Sequence, residues 1–199
     1  MNVTEVVSRA FAEPGPEHWP VYAGLALLVL LLVLLVVRWI RAHGGKSLSA
    51  RLADVCHDQL TDVVLPKADD GAIHIDHILL TERGILVVDS RDITGIVFGS
   101  DRMHDWTVMD GGRRFTIGNP QADLYDRVAA VKLVVTDIPV EGRIVFGSGA
   151  DFSKGKPSHV LTEAELVASL PRVAGRTTQT RKAFELEWQK LREAALIPS

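Results

Sequence analysis

Two aspartates and an arginine, set in IDHILLTERGILVVDSR over residues 75–91, form the pattern in this chain best suited to chemistry. Asp76 lies in one apolar run; Asp89 and Arg91 lie in the next. Between the runs stands the turn signal Thr81-Glu82-Arg83-Gly84, so the segment reads as a β-hairpin. A turn centred on Glu82-Arg83 makes cross-strand partners sum to 165, which pairs Leu80 with Ile85, Ile78 with Val87, Asp76 with Asp89 and His74 with Arg91. Strand alternation puts these side chains on one face and Ile73, Ile75, Leu79 and Leu86 on the other. Like charges directly opposite on a sheet are destabilising. Facing aspartates therefore need compensation, either from a divalent cation held by both or from Arg91 lying between them. A three-residue loop with Gly84 as a bulge would shift the sum to 166 and part the two aspartates.

Apolar periodicity and turn residues outline the elements around this hairpin. Leu48, Leu52, Val55, Leu60 and Val63 suit a helix over 48–63, and Pro66 to Gly71 a loop. Residues 95–100 form a third strand. Residues 105–109 and 113–117 flank Asp110-Gly111-Gly112 as a second hairpin. Asn119-Pro120 opens a helix to about Val135, with Leu124, Val128, Val131 and Val135 on one stripe. A strand over 143–147 follows, then a short helix near Thr162, where Thr162 and Glu165 have capping-box spacing. A last helix spans about 178–195, its stripe Phe184, Trp188, Leu191 and Ala195 serving packing. Together these predict an α/β domain with a mixed β-sheet flanked by helices. Its first hairpin is apolar on both faces and hence central.

Val21 to Val37 is uninterrupted by charge, and Trp19, Tyr22 and Trp39 stand at its ends. Eighteen residues from Pro20, at ~1.5 Å each, reach ~27 Å, enough for a thin bilayer. The acidic leader and the lack of a small-residue cleavage site disfavour a signal peptide. The reading is a transmembrane helix at 20–40, a linker at 41–47, a domain at 48–150 and a helical extension at 151–199, after a short N-terminal segment at 1–19. Arg38, Arg41, Lys46 and Arg51 follow the run, whereas only Arg9 precedes it. The positive-inside rule then places 1–19 outside and the domain on the cytoplasmic side of the plasma membrane. The single cysteine, Cys56, excludes an intramolecular disulfide and suits a reducing compartment; it reads as a small core residue rather than a nucleophile. From residue 43 onward 19 Lys and Arg stand against 22 Asp and Glu, a net of −3, which disfavours strong, charge-driven nucleic-acid binding.

An aspartate on one strand and Asp-x-Arg on the next resemble the PD-(D/E)XK nuclease core. The longer pattern, IDHILLTERGILVVDSRDITGIVFG, then Trp106, then Asn119-Pro120-Gln121, resembles the nuclease-related (NERD) domain found in bacterial proteins, often beside membrane segments. The match covers roughly residues 46–148. The resemblance implies a restriction-endonuclease-like fold, with Asp76 and Asp89 as the acids that hold Mg2+ or Mn2+ and Gly95 and Gly99 as the glycines of the following strand. Such a metal polarises a phosphodiester and lowers the pKa of an attacking water. QADLY, from Gln121 to Tyr125, also resembles the Q-x-x-x-Y motif of RecB-type nucleases, its two members four residues apart on one helix face. On this reading Asp76, Asp89, Arg91, Gln121 and Tyr125 are the catalytic set and DNA or RNA the substrate.

Two departures stand out. The family pattern has lysine where this chain has Arg91, which keeps the charge but cannot act as a base. The family's upstream glutamate is absent from 46–60, where Asp54 or Asp58 would have to take its place. The residues and the resemblance together therefore leave two functions open: a metal-dependent nuclease with a degenerate site, or a non-catalytic binding or scaffold module that keeps the fold. They also leave an Asp76–Arg91–Asp89 ion cluster, and a helix-end Gln121 with a packing Tyr125, as the plainer accounts.

Overall fold

The computed structural model describes residues 28–34, 47–170 and 178–196. Lys46–Ser199 forms one compact unit. Its elements run α1 (Leu48–Leu52), β1 (Asp58–Pro66), β2 (Ala72–Thr81), β3 (Gly84–Arg91), β4 (Gly95–Phe98), β5 (Asp105–Asp110), β6 (Arg113–Gly118), α2 (Gln121–Val134), β7 (Val140–Phe146), β8 (Ala150–Asp151), β9 (Val160–Thr162), α3 (Glu163–Ser169) and α4 (Thr178–Ala194). A five-stranded sheet has the order β1-β2-β3-β7-β9, and a four-stranded one the order β6-β5-β4-β8. The first is mixed, since β1, β2 and β3 pair antiparallel while β7 joins β3, and β9 joins β7, in parallel. This is the α/β fold with flanking helices that the patterning predicts, except that the strands divide between two sheets where one was expected.

The first hairpin has the predicted register. Thr81↔Gly84, Leu80↔Ile85, Ile78↔Val87 and His77↔Val88 all sum to 165, so Glu82-Arg83 is a two-residue turn and the bulged alternative is excluded. Thr81 stabilises it, donating its hydroxyl to the Gly84 carbonyl at 2.8 Å. The hairpin is central, with apolar cores on both sides. On one, Ile78, Leu80, Ile85 and Val87 meet Leu124 and Val131 of α2 and Trp188 and Leu191 of α4. On the other, Leu79, Leu86 and Val88 meet Leu52 of α1 and Leu166 of α3.

Three expectations require correction. The helix read over 48–63 stops at Leu52, and Asp58–Pro66 is a strand. Thr61, Val63 and Val64 are β-branched and fit a pleated surface; the apolar spacing that resembled a helical stripe spans two elements. Second, Ile73 and Ile75 join the same core as Ile78 and Leu80 rather than facing away from it. Asp62 takes a left-handed φ of 55°, and the β1–β2 ladder skips from Thr61↔His77 to Val63↔Ile75. At that point the core-facing positions advance by three on both strands: 60 to 63 on β1, and 75 to 78 on β2. Third, His57 lies in the loop between α1 and β1, but its side chain is buried, with Nε2 3.0 Å from Glu82.

Other elements follow the sequence reading. Thr162 and Glu165 make both halves of a capping box at α3. Gly99 is required by contact, because a Cβ there would lie 2.5 Å from the ring of buried Trp106. The stretch 151–199, read as a helical extension, also supplies β9 and thus extends the main sheet. The expected span at 20–40 lies outside the described residues except for 28–34, which are helical with exposed side chains. Among the described residues no helix is long and apolar enough to cross a membrane. The segments 1–19 and 41–46 also lie outside the described residues.

Candidate active site

The β2–β3 ladder ends at His77↔Val88, one pair short of the aspartates, while β3 stays paired with β7 on its other edge as far as Arg91. Asp76 bridges the gap with its side chain: Oδ2 accepts the Ser90 main-chain N–H at 2.7 Å. Asp89, at the end of an apolar strand, is 2% exposed. Its Oδ2 accepts from Arg91 Nη2 at 2.7 Å and lies 3.8 Å from Arg127 Nη1 on α2. Burial pushes the Asp89 carboxyl above the usual carboxylate range, opposed mainly by Arg91 and Arg127 and reinforced by the charge of Asp76. Asp76, held by the residue next to Asp89, thus belongs to the same site.

A wider network surrounds the pair. Arg91 Nη2 also donates to Asp123 at 3.3 Å, one turn before Arg127 on α2. Arg127 Nε donates to the His74 carbonyl at 3.0 Å, tying α2 to β2. The His74 ring bridges Asp62, at 2.5 Å from Nε2, and Asp76, at 3.5 Å from Nδ1. The β2–β3 ladder stops before the His74–Arg91 pair that the register sum implied, and the His74 ring contacts Asp62 and Asp76. Arg127, Asp123 and Asp62 escape sequence reasoning, since they reach the hairpin from outside it, the first two from α2 and the third from β1.

Gln121 and Tyr125 are placed elsewhere. Gln121 is 4% exposed, and its Nε2 donates to Asp101 Oδ1 and to the Ser158 carbonyl, each at 2.8 Å. Its Oε1 accepts from Asn119. Its carboxamide thus ties together the loops before β5 and before β9. Tyr125 is 54% exposed and meets His159 edge-on, so it is not a packing aromatic. Asp58, a substitute for the missing glutamate, instead anchors α4 by accepting from Trp188 Nε1 at 3.0 Å.

These residues do not fit a divalent cation between Asp76 and Asp89 as they stand. Two guanidinium groups already compensate Asp89, and the Asp76 Oδ2 is engaged by a main-chain donor. Among the described residues no three His, Cys, Asp or Glu side chains converge as a metal would need. Arg91 Nε is buried without a hydrogen-bond partner; an orphaned donor calls for an acceptor, not a cation.

No curated protein and no solved structure matches this chain. The family model of the nuclease-related domain matches residues 43–147, a stretch covering both hairpins, the acidic cluster, α2 and β7. With more than half of its length inside that match, the chain belongs to the nuclease-related domain family.

Proposed function

We propose that this protein is a membrane-anchored, cytoplasmic nuclease-related module that binds its target rather than cleaving it. The observation that carries this reading is the Arg91–Asp89 pair: a guanidinium stands where the family pattern has a lysine, and it holds the buried carboxylate at 2.7 Å. Arginine stays protonated and cannot serve as a base. Nucleic acid, DNA or RNA, is the partner class that the family suggests. The bilayer is a second partner through residues 20–40, supported by the uncharged run and the Lys/Arg bias after it.

One observation favours the catalytic alternative. Asp62, Asp76, Asp89 and Asp123 outnumber Arg91 and Arg127, so the cluster has negative charge left for Mg2+ or Mn2+ to neutralise. Calorimetric titration of the purified chain with each metal, beside a cleavage assay on DNA and RNA, separates the two. Metal-dependent cleavage that disappears in Asp89→Asn would establish the nuclease and end the binding-only reading. Neither metal binding nor cleavage is expected. The anchor is tested separately by labelling an introduced cysteine near residue 45 on intact cells; labelling from outside would reverse the orientation.

A further inference from the structure

We propose that the cleft between α2 and β7 binds one nucleotide of a single-stranded nucleic acid, its base on Tyr125 and its phosphates on Lys132 and Arg143. This rests on the reading of the domain as a nucleic-acid-binding module and locates the contact away from the acidic cluster. α2 separates the two sites. Asp123 and Arg127 face Arg91 and Asp89, whereas Tyr125, Val128 and Lys132 line a cleft of about 410 Å3 closed by β7 and His159. That volume lies within the range of small-ligand clefts.

Each part of the cleft has a feature suited to such a ligand. Gly142 lets α2 lie close on β7: a Cβ there would come within 2.7 Å of Val128 Cγ2. Leu124, Val128 and Gly142 thus form an apolar floor. Tyr125 stands at the wall with over half its surface exposed. His159 meets it at 5.9 Å and 86°, from a left-handed backbone with φ 65° that costs energy in any residue with a Cβ. Lys132 lies seven residues, about 10 Å, further along the helix. Arg143, Lys132 and His159 face one acid, Glu141, which already pairs with Arg143 at 3.0 Å. The side of the cleft stays open, because β9 covers only Ile144–Phe146 and, among the described residues, no strand lies beside Val140–Arg143 on that edge. An aromatic face beside cations in an open groove is the arrangement that binds single strands without sequence preference.

The test is fluorescence anisotropy of the full chain in detergent micelles with a labelled single-stranded oligothymidylate in EDTA. Removing metals makes the result independent of whether the acidic cluster hydrolyses anything. Tyr125→Ala should weaken binding about tenfold, and Tyr125→Phe should retain it, since the stacking face survives. Lys132→Glu should weaken binding and flatten its dependence on salt. Both side chains are exposed, so both variants keep the fold, which near-ultraviolet circular dichroism checks. The proposal is overturned if the wild type does not bind, or if Tyr125→Ala binds as the wild type does. It is equally overturned if an extended glutamate-rich peptide occupies the cleft along the β7 edge and the oligonucleotide does not displace it.

Discussion

Asp76 accepts the Ser90 main-chain N–H through Oδ2 at 2.7 Å, and this contact spans the point where β2 and β3 stop pairing. A carboxylate here replaces a missing rung of the ladder. Asp76→Ala should therefore lower stability by about 1.5–3 kcal/mol, the range for a hydrogen bond to a charged group. Asp76→Asn, which keeps an acceptor, should lose less. Urea denaturation of the two variants gives the comparison; equal losses would show that the acceptor role is immaterial.

The Asp89–Arg91 pair predicts a second effect. Asp89→Asn leaves two arginines poorly compensated beside a buried position. Breaking a buried pair costs about 3–5 kcal/mol, but burial already disfavours the Asp89 charge and the Arg91 side chain is 30% exposed, so the loss should fall below that range. Millimolar Mg2+ should leave the wild-type melting temperature unchanged, because the guanidinium groups already supply the compensating charge. A magnesium-dependent rise that vanishes in Asp89→Asn would refute this account of the cluster.

Acid titration should reveal two carboxylates of opposite sign. Glu165 is held at about 2, below its ordinary 4.5, first by the Lys156 ammonium and then by the Thr162 main chain. A depressed folded-state value means that its contribution is present above 4.5 and fades as pH falls towards 2. Its side chain is 47% exposed, so screening keeps the effect small. Asp89, raised by burial, works the other way, its contribution shrinking as pH rises from its ordinary 3.8. Urea midpoints followed from pH 2 to 6 should be flatter in Glu165→Gln than in the wild type.

Cys56 should be unreactive at neutral pH. Burial, with help from Asp58, pushes its thiol up to about 11, and the thiolate is the reactive form. A thiol reagent applied to the folded chain should modify it only after denaturant is added. Rapid modification of the native protein would show that the pocket around Cys56 opens.

The turn chemistry and the strands of the first hairpin were legible because their cause is local. Thr81 to Gly84 dictates the turn, and period-two apolar residues dictate the strands; the register follows arithmetically. The helix α2 and the capping box of α3 were legible for the same reason. β1 was not. Its first residues continue the apolar spacing of α1, and it becomes a strand by pairing with β2, a partner later in the chain. The site divides along the same line. Asp76, Asp89 and Arg91 are visible in one hairpin, whereas Arg127, Asp123 and Asp62 enter through tertiary packing. Gln121 and Tyr125 share a helix face in sequence, yet one closes a loop junction and the other lines a separate cleft.

The step at Asp62 binds two positions fourteen residues apart into one unit of change. Because β1 and β2 shift phase together there, deleting a single residue from either strand alone would turn Val63 and Leu65, or Ile73 and Ile75, out of the core. Deleting Asp62 and Asp76 together would restore plain alternation while removing two acids from the cluster. Length changes at this step of β1 and β2 therefore preserve the core only when they come in matched pairs.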